Sequence, residues 1–128
     1  MTLKTSITIS FLLIIFSASA QNMQKGFTYL ETGKYEQAES FFETILKDYP
    51  KNKTARLCYG RAVGLNGNAK KANQLFMYLL QDYSQDFEVK LNYGESLLWL
   101  KKFETAKRFY KNLVTENSKS FPALLGFA

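Results

Sequence analysis

Residues 33–50 read GKYEQAESFFETILKDYP, and the reading of this stretch decides the fold. Gly33 is a turn residue and Pro50 a stop, and between them the apolar side chains recur with a helical period. Ala38, Phe42, Ile45 and Leu46 lie at i, i+4, i+7 and i+8, which places them on one stripe of a helix. The same pattern returns 34 residues later at 67–84, GNAKKANQLFMYLLQDYS, and again at 101–118, KKFETAKRFYKNLVTENS. Three copies without a gap make this chain a repeat array, since a single amphipathic helix cannot bury its stripe alone.

Working outward at a period of 34 residues, further columns line up. Gly26, Gly60 and Gly94 share one, Ala38, Ala72 and Ala106 a second, and Phe42, Phe76 and Tyr110 a third. Ile45, Leu79 and Leu113 form an aliphatic column beside Leu46, Leu80 and Val114, and Asp48, Asp82 and Glu116 an acidic one. The Gly column falls within the helix that precedes each quoted stretch, where Gly costs about 1 kcal/mol relative to Ala. A repeated cost of that kind implies that the facing helix packs against bare backbone there. Turn signals separate the helices: Thr32-Gly33, Asn66-Gly67-Asn68 and, more weakly, Lys101-Lys102. Asn52 and Asp86 fill the connections between pairs. The expected helices run over 22–32, 35–48, 53–65, 69–82, 87–100 and 103–116.

These columns resemble the tetratricopeptide repeat family, whose 34-residue pattern has a small residue at position 8, Ala at 20, an aromatic at 24 and Pro at 32. Here those are Gly26, Ala38, Phe42 and Pro50, then Gly60, Ala72 and Phe76, then Gly94, Ala106 and Tyr110. Ser84 and Ser118 stand where Pro is usual, and polar Asn22, Arg56 and Lys90 occupy position 4. The resemblance implies an all-α fold, a right-handed α-solenoid of antiparallel helix pairs. Its three repeats cover about 21–52, 53–86 and 87–120, and a partial fourth covers 121–128. In that segment, FPALLGFA, Leu124, Phe127 and Ala128 fall at positions 4, 7 and 8. Solenoids commonly end in a polar capping helix, so this apolar segment reads as the start of another repeat in a longer protein.

Residues 1–20, MTLKTSITISFLLIIFSASA, read as a signal peptide: Lys4, an apolar run from Ile7 to Phe16, and the A-x-A site Ala18-Ser19-Ala20. The run is half the roughly 20 residues that a membrane-spanning helix needs. Cleavage before Gln21 would leave no membrane span and place the protein in a periplasm, at the outer envelope, or outside the cell.

Composition narrows the function. Of 128 residues 46% are hydrophobic, 16% aromatic and 22% charged, which suits a packed domain. The formal charge is +6, or +5 without Lys4, but cations and anions are interleaved as on a solvated surface rather than gathered as a nucleic-acid face. There is no His, which removes the commonest general base and metal ligand. Cys58 is the only cysteine, so neither an internal disulfide nor a zinc pattern is available, and a buried helical thiol is expected. No catalytic residue, cofactor or metal is assigned.

The resemblance implies instead a groove that binds a protein or peptide segment, lined by positions 5, 9, 12 and 13 of each repeat. Carried over, these are Met23, Phe27, Leu30 and Glu31; Leu57, Arg61, Gly64 and Leu65; and Leu91, Glu95, Leu98 and Trp99. Most are apolar, with Arg61 and Glu95 to orient a partner. Met23 and Phe27 stand where the family's carboxylate-clamping Lys and Asn would be, which argues against a cytosolic cochaperone. Three readings follow. The first is an exported interaction scaffold, whose partner is either another protein or the C-terminal part of the same chain. The second is an N-terminal periplasmic module of a longer outer-membrane or secretion-associated envelope protein. The third, more remote, is an RNA-binding helical repeat.

Overall fold

The computed structural model describes residues 23–118. The signal peptide and the partial fourth repeat, both expectations from sequence, lie outside the described residues. Within them the chain forms six helices: α1 (23–31), α2 (Tyr35–Asp48), α3 (Lys53–Leu65), α4 (Ala69–Asp82), α5 (Phe87–Trp99) and α6 (Phe103–Glu116). From α2 to α6 each packs mainly on its neighbours in sequence, α3 also touches α5, and α1 packs on α2 through Gly26 and Phe27. All six expected helices are present; α1 ends at residue 31 and α5 at Trp99, each one residue short of the expected end.

The stripe read from residues 33–50 is the buried face of the second helix in each pair. Ala38, Phe42, Ala72, Phe76 and Ala106 are fully buried, and Leu79 and Leu113 nearly so. The Gly column has the packing role that its cost demanded. What fills the space is an aromatic ring from the third column, not the helix backbone. A Cβ built on Gly26 would lie 2.5 Å from the Phe42 ring, on Gly60 2.5 Å from Phe76, and on Gly94 2.7 Å from Tyr110. Two sequence columns sixteen residues apart are thus one contact, made three times.

The turn inside each pair is also repeated. The amides of Lys34, Asn68 and Lys102 donate to the carbonyls of Tyr29, Val63 and Leu97, five residues back, at 2.8, 3.0 and 2.9 Å. The preceding amides of Gly33, Gly67 and Lys101 donate three residues back, to Leu30, Gly64 and Leu98. This double bond pattern closes the helix end and requires a left-handed residue. Gly33 and Gly67 supply it at φ +74° and +103°, whereas Lys101 is held at φ +60°. The weaker third signal therefore makes the same turn under strain. Lys101→Gly is expected to raise stability by about 1 kcal/mol, read as a shift of the urea midpoint with unchanged slope; an unchanged or lower midpoint would count against it.

Between pairs, Asn52 and Asp86 are helix caps: their side chains accept from the amides of Ala55 and Val89 at 2.9 and 3.0 Å. Asp86 also pairs with Lys53 at the start of α3. Bonds from the Lys53 ammonium and the Val89 amide hold its carboxyl below the usual carboxylate range. Two of the polar residues at position 4, Arg56 and Lys90, have partners as well. Arg56 Nη1 lies 2.6 Å from Asp82 Oδ2 and Lys90 Nζ 2.7 Å from Glu116 Oε2, a pair repeated at a spacing of 26 residues. In those two repeats the acidic column ties the end of the second helix to the start of the first.

Candidate partner-binding face

Repeat stacking sorts the twelve residues carried over from the family pattern into two groups. Met23, Phe27 and Leu30 on α1 are half-buried against the hydrophobic core, and Phe27 sits 6.2 Å, centroid to centroid, from Phe42. Leu57 is only 3% exposed and offers a partner almost no surface. Gly64 and Trp99 face each other. The Trp99 ring lies 2.1 Å from where a Gly64 Cβ would be, and its centroid is 6.4 Å from that of Phe76. The only Trp in the chain, half-buried, thus also packs the third repeat on the second. Leu65 is half-buried and Glu31 exposed.

Arg61, Leu91, Glu95 and Leu98 come together. With Asn92 and Tyr110 they line an open depression of about 450 Å³ over α3, α5 and α6. The Arg61 guanidinium spans the two repeats from its Nη1, donating to Glu95 Oε2 at 2.8 Å and to Asn92 Oδ1 at 3.0 Å. Asn92, 6% exposed, is fixed by its own Nδ2–H donating to the Glu88 carbonyl at 2.8 Å. Leu98 is 41% exposed. The Tyr110 hydroxyl donates weakly to the Leu91 carbonyl at 3.4 Å, and burial, with Glu95 nearby, pushes its phenol up to about 12. The arrangement has an apolar floor, one oriented ion pair and no nucleophile beside a base. It can bury side chains and orient a charged group.

Asn92 and Tyr110 were not anticipated. Asn92 shares its column with Gln24 and Cys58, so the column carries no chemical pattern to read. Tyr110 was assigned to interhelical packing by its alignment with Phe42 and Phe76, and it does that while also walling the depression.

The tetratricopeptide repeat family model matches residues 21–52 and 88–120, just over half of the chain. The chain belongs to the tetratricopeptide repeat family. Its middle repeat, with Gly64 beneath Trp99, lies outside both matched segments. Tetratricopeptide repeat domains generally act as protein–protein interaction scaffolds and are typically not catalytic. The structure is similar to the first such domain of human RPAP3, solved by NMR, with a TM-score of 0.70 over 82% of this chain and 83% of that one. Identity is 19%, so this likeness concerns the fold. No curated protein matches the sequence.

Among the described residues no helix is long and apolar enough to cross a membrane, and no group of three or more Cys, Asp or Glu side chains is placed to hold a metal. Cys58 is half-buried in α3, and burial raises its thiol to about 11 from an ordinary 9.0. The thiolate fraction at pH 8 is then about a hundredfold below that of an exposed thiol. A thiol reagent is expected to react correspondingly slowly until urea unfolds the domain; fast labelling of the native protein would refute this. The folded pKa lies above the unfolded one, so the protonated thiol contributes stability below pH 9 that is lost as the pH rises toward 11.

Proposed function

We propose that this protein is an exported interaction scaffold that binds a segment of a partner protein along α1, α3 and α5. The observation that carries this reading is the depression lined by Arg61, Leu91, Asn92, Glu95, Leu98 and Tyr110. It pairs accessible apolar side chains with an ion pair held from two repeats, the combination that buries a partner's side chains and fixes their direction. Export rests on Lys4, the apolar run and Ala18-Ser19-Ala20, which together have the order a signal peptidase requires.

The test is site-specific photo-crosslinking in the native host, with the photoreactive residue at position 30, 98 or 77. Met77 is 44% exposed on α4 and serves as the control outside the proposed face. Partner adducts are expected at 30 and 98 and not at 77; equal adducts at all three would overturn the reading. For export, the mature protein is expected to begin at Gln21, and Met1 at the N-terminus of exported protein would refute cleavage.

A second reading keeps the same face but makes the chain a periplasmic module of a longer envelope protein. Residues 121–128 support it, because Phe127 and Ala128 continue the columns of Tyr59 and Tyr93 and of Gly60 and Gly94. A native mass well above 14.7 kDa would favour it. Salt-dependent RNA binding would revive the nucleic-acid reading; the interleaved charges speak against it.

A further inference from the structure

We propose that Asn66-Gly67 is a site of spontaneous deamidation, held back by the folded turn between α3 and α4, and that reaction there loosens this turn from the first repeat. The inference is independent of the scaffold reading.

The chemistry starts from the sequence. Of the asparagines in the chain, only Asn66 precedes a glycine. A backbone nitrogen reaches the side-chain amide of a preceding asparagine most easily when its own residue carries no Cβ. In that step the Gly67 nitrogen bonds to Asn66 Cγ, its proton passes to base, and Nδ2 leaves as ammonia. Water then opens the cyclic imide at either of its carbonyls. One opening leaves aspartate. The other leaves isoaspartate, in which the backbone runs through the former side-chain carbon. Water is the only co-reactant.

Asn66 is exposed, so water and base reach it, but the turn withholds the geometry. At ψ 2° the Gly67 nitrogen is turned away from the Asn66 side chain, whereas ring closure needs both on one side of the Cα–C bond. The Gly67 amide is also engaged, donating to the Gly64 carbonyl at 3.0 Å, and the Asn68 amide donates to Val63 at 3.0 Å. Asn66 Nδ2 donates to Glu39 Oε2 at 3.0 Å, which ties the side chain to α2. Rotation into the reactive geometry breaks the turn bonds, so the reaction proceeds from a locally opened chain.

The products do not restore what was lost. Aspartate at this position sets a carboxylate against Glu39, replacing a hydrogen bond with like charges. Lys71 Nζ, 3.9 Å from Glu39 Oε1, offsets part of that repulsion. Isoaspartate lengthens the backbone inside the turn, so the bonds to Gly64 and Val63 no longer fit together. Either product weakens the tie between the α3–α4 turn and α2.

The experiment incubates the full chain at mildly alkaline pH, folded or in guanidinium chloride, and follows the tryptic peptide 62–70 by mass spectrometry. That peptide holds Asn66 and Asn68 together, and its fragments tell them apart. In denaturant Asn66 is expected to convert while Asn68 remains an amide. In the folded chain conversion should be slower by ~tenfold or more, the factor that an opening free energy of about 1.4 kcal/mol gives. Phe76→Ala, which weakens the packing of α4 on α3, should remove most of this protection, and Phe103→Ala none of it. Gly67→Ala in denaturant should stop most of the conversion. Asn66→Asp should lower the folded-to-unfolded ratio about threefold, read from the urea midpoint, the scale of an exposed hydrogen bond replaced by a like-charge contact. Equal rates in the folded and denatured chain would overturn the proposal, as would an Asn66 that converts no faster than Asn68 in denaturant. An unchanged midpoint for Asn66→Asp would overturn the loosening of the turn.

Discussion

Phe76→Ala is expected to lower the stability of the domain by about 3–5 kcal/mol, the scale of deleting a fully buried aromatic side chain. Its side chain is 0% exposed, it fills the space over Gly60, and its ring lies 6.4 Å from that of Trp99. It therefore joins α3 to α4 within one repeat and supports the third repeat on the second. Each repeat in such an array is held by its neighbours, so damage at the middle one removes two interfaces together. Small domains have about 5–15 kcal/mol in total, so this loss is a large share of the stability. Urea denaturation followed by circular dichroism measures the loss, and Trp99 fluorescence reports the same site. Phe103→Ala is the contrast: Phe103 is 60% exposed, and removing it should change stability by no more than about 0.5 kcal/mol. A loss below about 1 kcal/mol for Phe76→Ala would show that the aromatic column is not the joint between repeats.

The second large effect comes from adding atoms rather than removing them. Gly60→Val is expected to destabilise by about 3 kcal/mol, although Val is the better helix former by a few tenths of a kcal/mol. Packing decides the sign, because a Cβ at residue 60 would come within 2.5 Å of a Phe76 ring that is buried on every side and cannot move aside. Phe76→Leu in the same chain should recover part of the loss, since the smaller side chain vacates the ring's edge. The two changes must then be non-additive, and a double-mutant cycle measures the coupling. Strict additivity would mean that Gly60 and Phe76 do not share the space that their columns imply.

Particular residues show why some of this was legible in the chain and some was not. The helices were readable because Ala38, Phe42, Ile45 and Leu46 recur at one spacing three times, and each burial event is the same local contact. The Gly column announced a packing constraint through its cost, but sequence could not say that the contacting group is the aromatic ring of Phe42, Phe76 or Tyr110. Lys101 looked like a weak turn, yet it adopts the left-handed angle of Gly33 and Gly67 and closes the helix with the same pair of backbone bonds. Arg56 and Lys90 looked like departures from the family pattern, and both turned out to pair with the acidic column twenty-six residues on. The candidate face was legible only in outline. Trp99 falls at a groove position of the family pattern, but that its ring packs on Gly64, a residue 35 positions away, is visible only in the structure.

By itself the sequence determined the period, the six helices, their order and the family, because these follow from local propensity and from a spacing that recurs without gaps. The tertiary structure alone decided which carried-over positions remain available to a partner. Leu57 is buried by stacking and Trp99 half-buried against Gly64, while among the described residues Leu91, Glu95 and Leu98 line a depression with Asn92 and Tyr110. The physical reason is that equivalent positions in successive repeats meet different neighbours. Gly64 leaves room for the Trp99 ring, whereas Leu98, at the equivalent place in the next repeat, is 41% exposed among the described residues.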